Sequence, residues 1–180
     1  MLPKFHHMIG EIVSCGVPTL AKVSGACLGG GFELALACSM TFCDEGASLG
    51  VPEIQLGVFP PPASALLPFM CSDTFARQMI LTGDKFSADQ LYGHGLVNAV
   101  AKTGTLDDEV SSFVTKHFLP KSASSLRMAN RAAQSGKSEY YKHHIGAIEK
   151  LYLDDLMATA DAVEGIQSFL EKRPPKWKDA

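Results

Sequence analysis

The chain has no run of Lys or Arg longer than two residues, and its 16 basic side chains are outnumbered by 19 acidic ones, for a net charge of −3. A nucleic-acid partner asks for a basic stripe or patch, so none is expected. No apolar run approaches the ~18–20 residues that span a bilayer, so no membrane partner is expected either. The opening "MLPKFHHMIGEIV" lacks a basic segment leading into a long apolar one, and no secretory leader is expected from it. Cysteine is sparse and odd in number (Cys15, Cys27, Cys38, Cys43, Cys71), mostly inside apolar runs, with no CxxC pair. That usage excludes a disulfide framework and predicts buried, reduced thiols of a cytoplasmic protein. Histidine offers no metal site. His143 and His144 are adjacent, as are His6 and His7, so each pair leaves a helix on different faces and forms no i, i+4 ligand pair. His94 sits in the turn "YGHGLV". There is no internal repeat and no low-complexity segment.

What is present is enough apolar material for one domain with a real core, or a core with an appendage: 180 residues, 46% hydrophobic. Apolar residues at Phe5, Met8, Ile9, Ile12 and Val13 predict a helix over 5–15, broken by "GVP". Thr19–Ser24 reads as a buried strand, Gly25–Gly31 as a loop, and Phe32–Cys38 as a helix buried on most sides. Two extended pieces flank a turn at Asp44–Gly46. "GVFPPPA", 57–63, reads as a stiff irregular loop, followed by helices at 64–81 and 87–93, a strand near Leu96–Val100 and a helix over 106–119. From Ser122 the chain reads as wholly helical. Residues 1–120 thus form an α/β unit and 121–180 a helical region, joined near Pro120–Ser125.

Chemistry concentrates in "CLGGGFELAL", residues 27–36. A strand, a Gly-rich turn and a helix leave backbone N–H groups free at the helix start, where the dipole favours an anion or a developing negative charge. Neither the dinucleotide GxGxxG spacing nor a P-loop Gly-Lys-Ser/Thr is met. The triplet also fits a close helix–strand approach that only glycine permits. Glu33 stands in the first turn of that apolar helix, and Glu53 follows Pro52 in "GVPEIQLG", again among apolar neighbours. Taken singly, each is an ordinary cap or surface residue. Together they form a candidate acid–base pair able to share one water.

The blocks "VPTLAKVSGACLGGGFELALAC", "ASLGVPEIQLGVFP" and "LTGDKFSADQLYGHGLVNAV", with "DAVEGIQSFLEKRPPKWK" in the tail, resemble the enoyl-CoA hydratase/isomerase (crotonase) superfamily. The resemblance implies an α/β fold, the crotonase ββα spiral, N-terminally incomplete here, with an α-helical C-terminal region. It implies that Gly30 gives its backbone N–H to a thioester carbonyl as half of an oxyanion hole, with Gly29 beside it. Glu33 would assist water attack on the β-carbon and Glu53 would exchange the proton at the α-carbon. Both acids being present favours addition or removal of water; an enoyl-CoA isomerase is the neighbouring alternative. The proline-rich "GVFPPPA", with Phe59 and Pro61 against the acyl group, is similar to cyclohexa-1,5-diene-1-carbonyl-CoA hydratases, which act on a ring-shaped dienoyl thioester in anaerobic aromatic breakdown. A straight-chain enoyl-CoA is the competing substrate. The resemblance further implies that Phe169 and Lys172 touch the CoA adenosine region, against a packing role for the one and a solvated helix end for the other. It implies a homotrimer or a hexamer of paired trimers, and no cofactor beyond the CoA thioester itself. Relatives are longer by about 80 N-terminal residues that carry pocket walls and the second oxyanion N–H. A catalytically weak binding or assembly subunit is therefore the reading from a different functional class.

Overall fold

Helix α1, Leu2–Val13, closes on the apolar stripe that its sequence carries, burying Ile9 and Val13. The computed structural model describes residues 2–179. After the "GVP" break the chain lays down strands in pairs, one for each of two three-stranded sheets. β1 (Leu20–Val23) and β2 (Ala26–Leu28) come first, then β3 (Met40–Asp44) and β4 (Ser48–Gly50). β3 lies parallel to β1, with Leu20 opposite Met40, and β4 lies parallel to β2, with Leu28 opposite Gly50. β5 (Lys85–Ser87) joins β4 antiparallel, and β6 (Ala99–Ala101) completes the first sheet beside β3. The sheet orders are β1-β3-β6 and β2-β4-β5. Strand, strand, helix is the repeating step.

Between the strand pairs runs α2, Gly30–Ala37, with Phe32, Glu33, Ala35, Leu36 and Ala37 buried. Eight residues are too few for a stable isolated helix, so tertiary burial holds it. Phe32 and Leu36 pack with Ile9, Val13, Leu49 and Leu66 in the main core, each apolar side chain contributing about 1.5–3 kcal/mol. A 3₁₀ turn over Pro52–Leu56 leads to α3 (Pro61–Met70) and α4 (Asp73–Thr82), with α5 at Ala88–Gly93 and α6 at Leu106–His117. The long α7, Ala123–Lys150, passes into a π-helical turn at Leu151–Asp155 and a short 3₁₀ turn, and α8 spans Ala160–Leu170.

Several expectations need correction. The segment 57–63 is not loop throughout, because α3 begins at Pro61; proline suits a first helical turn, where its missing N–H costs no hydrogen bond. The helix expected over 64–81 is two, divided at Cys71–Ser72, where the Ser72 side chain caps α4. The glycine loop hides β2, and α2 starts two residues earlier, at Gly30. The strand near 96–100 lies at 99–101, and β5 had no periodic signal at three residues. Of the five free cysteines only Cys43 is fully buried; the others are half-buried.

The C-terminal helices pack on the elements that carry the glycine turn. Tyr141 of α7 donates its hydroxyl to the His6 carbonyl at 2.9 Å. Lys137 of α7, 9% exposed, donates Nζ to the carbonyls of Leu36 and Cys38 at 3.3 and 3.1 Å. α8 reaches the 3₁₀ turn through Gly165, where any Cβ would stand 2.1 Å from the Leu56 carbonyl oxygen. The turn that bears Glu53 thus rests directly on the backbone of α8.

Candidate active site

The start of α2 presents its first N–H groups without intrahelical partners. The Gly29 N–H is taken by the Gly50 carbonyl at 2.9 Å, while no carbonyl among the described residues outside the helix takes that of Gly30. Gly29 has φ +56° and a Cβ there would fall 2.6 Å from Glu53 Oε1. Only glycine meets both demands. The Phe5 ring of α1 covers Gly30, its Cζ being 3.2 Å from where a Cβ would sit.

Glu33 and Glu53 arrive from separate elements on one cavity of ≈ 370 Å³, lined also by Gly30, His6, Phe59 and Tyr152 among others. Glu33 is 4% exposed, and its Oε1 accepts the Ala63 N–H at 3.0 Å. Pro61 and Pro62 have no N–H, so Ala63 offers the first one of α3, and a second helix N-terminus faces the same carboxylate. Burial outweighs that hydrogen bond and, with the Glu53 charge nearby, lifts Glu33 to about 7. Burial also raises Glu53, whose Oε2 is enclosed with no hydrogen-bond partner. A carboxyl poised near neutral pH can both give and take a proton. An enclosed carboxylate oxygen without a partner is costly unless it has a use.

Of the site residues expected from sequence, Gly30, Glu33, Glu53, Phe59 and Pro61 meet at this cavity, with Gly29 in its wall through the Glu53 contact. Phe169 lies elsewhere, 63% exposed. It lines a second groove of ≈ 450 Å³ with Leu28, Pro52, Lys85 and Arg173. Lys172 lines neither and stands in the left-handed region at the end of α8. Sequence reasoning did not place Phe5, His6 or Tyr152 at the site, yet they also line the cavity. Tyr152 projects from the π-helical turn, its ring edge-on to Phe59 at 5.3 Å between centroids. Burial first, then the charges of Glu53 and Glu33, raise its phenol. A π turn is a frequent mark of functional sites, but nothing in local periodicity announces one. Among the described residues no group of three His, Cys, Asp or Glu is arranged to hold a metal ion, and no helix is long and apolar enough to cross a membrane.

Comparison with known proteins bears on the family and the fold. Residues 2–180 match the family described as enoyl-CoA hydratase/isomerase. The chain is 38% identical over 181 residues to the cyclohexa-1,5-dienecarbonyl-CoA hydratase of Thauera aromatica, covering 99% of this chain and 69% of that protein. It is 34% identical over 172 residues to the carnitinyl-CoA dehydratase of Salmonella agona, covering 93% and 66%. Among solved structures, an enoyl-CoA hydratase from Mycobacterium avium superposes with a TM-score of 0.87 at 27% identity, over 98% of this chain and 68% of that one. Another, from Mycobacterium avium subsp. paratuberculosis, reaches 0.90 at 23% identity, over 99% and 72%, and shares the fold. The chain spans about two thirds of the length of these curated relatives, 69% and 66%. The sheet pair, the glycine-led helix and the family match over residues 2–180 together make the chain a member of the enoyl-CoA hydratase/isomerase family.

Proposed function

We propose that the site adds water to, or removes it from, the double bond of an α,β-unsaturated acyl-CoA thioester. The observation that carries this reading is the convergence of two desolvated carboxylates with the unpartnered Gly30 N–H on one cavity. In the hydration direction Glu33 takes a proton from water as its oxygen bonds the β-carbon, and Glu53 delivers a proton to the α-carbon. The Gly30 N–H, at the positive end of α2, stabilises the charge that builds on the thioester oxygen. No cofactor beyond the thioester enters the scheme. A proton shift without water needs only one of the two acids, so the paired arrangement favours the hydro-lyase over the isomerase.

For the acyl group we infer a ring-shaped dienoyl thioester. Phe59, Pro60 and Pro61 line the cavity as a stiff apolar wall, with the Tyr152 ring packed edge-on against Phe59, a surface suited to a flat ring, and a relative at 38% identity is named for a cyclic dienoyl substrate. The groove beside Phe169, with Lys85 in its lining bringing positive charge, suits the phosphate-bearing arm of CoA. Exposed Leu151, Leu153 and Leu170 in the helical region fit an assembly of copies, a trimer or paired trimers. The free thiols fit a reducing cytoplasm.

The test is a hydration assay with cyclohexa-1,5-diene-1-carbonyl-CoA and crotonyl-CoA offered separately, alongside E33Q and E53Q. Turnover of the cyclic thioester that both substitutions abolish is expected. Preference for crotonyl-CoA would overturn the acyl assignment alone. No turnover of either would return the chain to the role of a non-catalytic subunit.

A further inference from the structure

The wall between two cavities holds a hydrogen-bonded pair that the scheme above leaves unused. His6, 3% exposed, is the one described residue lining both the ≈ 370 Å³ cavity of the glutamates and a ≈ 310 Å³ surface groove between α1 and α7. Its Nδ1 lies 2.5 Å from Oε1 of Glu149, which lines the groove side only. The Tyr141 hydroxyl, bound to the His6 carbonyl, fixes the backbone beneath it. Nε2 has no hydrogen-bond partner among the described residues and is not one of the enclosed polar atoms. A carboxylate on Nδ1–H settles the tautomer and leaves a lone pair on Nε2.

A buried acid pair needs a way to reset. When water has been added, its hydroxyl is on the β-carbon and its proton on Glu33, while Glu53 has given its own proton to the α-carbon. Atoms and charges balance within the substrate, but the two carboxyls are left exchanged. We propose that His6 and Glu149 form the proton path between this pair and solvent. Nε2 takes the proton that leaves Glu33, Nδ1 releases its own to Glu149, and Glu149 passes it to the groove; the reverse sequence reloads Glu53. The cavity is far larger than the about 10–15 Å³ one water requires, so a water bridge between Nε2 and the carboxyls fits. The titratable groups around the imidazole are Glu33, Glu53 and Tyr152 across the cavity, and His7, Glu11, Tyr141, Lys142 and Glu149 on the groove side. The inference rests on the hydratase reading of the site.

The test compares H6Q, E149Q and the groove-side control His7→Gln at low and high buffer concentration. H6Q is expected to keep KM and lose about tenfold or more in kcat at low buffer, with millimolar imidazole restoring it. E149Q is the decisive variant. Its amide oxygen still accepts from Nδ1–H and keeps the ring in place, but it takes no proton. It should show the same buffer-dependent loss, while H7Q stays at the unsubstituted rate. E149Q turning over normally at every buffer concentration overturns the path and leaves a structural tie. If the unsubstituted chain hydrates no thioester, the hydratase reading fails on its own, and nitrogen NMR of histidine-labelled protein judges the pair. A His6 Nε2 resonance that moves in E33Q or E53Q supports proton linkage across the cavity; one unmoved in both overturns it.

Discussion

The two ends of α2 are finished in opposite ways. At its C-terminus, Lys137 sends one buried ammonium to the last carbonyls of the helix, satisfying groups that a helix end leaves open and setting a positive charge against the negative end of the dipole. At its N-terminus the Gly30 N–H stays open, and Glu33 is desolvated until its proton is held to about 7. Just outside, Glu53 keeps an enclosed oxygen without a partner. One end is closed by hydrogen bonds and the other is left unsatisfied, as the proposed chemistry requires. The contrast teaches that the cost of the open end is carried by burial and by clamps on the closed one.

That contrast can be broken from either side. The largest effect is expected at the open end. E33Q and E53Q should each lower the hydration rate by about 10²–10⁴ without loss of fold by circular dichroism; a variant retaining a tenth of the rate would show that its carboxyl is not in the chemistry. Next comes stability against pH. The folded state raises Glu33 from 4.5 to about 7, so it binds that proton more tightly than the unfolded chain does. The fold therefore loses stability as pH climbs through that window. Relative to the unsubstituted chain, E33Q should be more stable at pH 8 by up to about 3 kcal/mol, with the gap closing by pH 4. Urea unfolding at both pH values reads this directly, and an equal gap at both would contradict it.

Gly29→Ala follows. Its Cβ would drive Glu53 from its place, and a misplaced acid of about 1 Å costs about 10²-fold in rate, read as kcat with the fold checked by thermal unfolding. The smallest effect belongs to the closed end. Lys137→Met strips the Leu36 and Cys38 carbonyls of their donor, and about 1–3 kcal/mol of stability should go with it. Activity per folded molecule should fall far less than in E33Q. Equal losses from both ends would dissolve the division of labour.

Much of the site was legible because its signals are local. Three glycines before an apolar helix, and a proline fixing the turn before Glu53, are short-range patterns whose physics does not depend on the rest of the chain. The helix starting at Pro61 was missed because three prolines read as a stiff loop, although the same fixed φ serves a helix start. The three-residue strands β2 and β5 were missed because a period of two needs more length to show. His6 was set aside as one of two adjacent histidines. Its partner Glu149 lies 143 positions away, and no local pattern joins them. Tyr152 was hidden in a stretch that reads as ordinary helix.

By itself the sequence determined which groups are candidates for the chemistry, since the permissive backbone at Gly29–Gly31 and the apolar company of Glu33 and Glu53 are written in consecutive residues. It also determined which helical segments, such as residues 32–38, must be buried, through their apolar runs. Only the tertiary structure decided what those groups do to one another. Glu33 is lifted to about 7 because burial, helped by the Glu53 charge, outweighs the Ala63 hydrogen bond that pulls the other way, and Ala63 and Glu53 arrive from elements 30 and 20 residues away. Desolvation and Coulomb interaction depend on distance through space, which residue order does not contain.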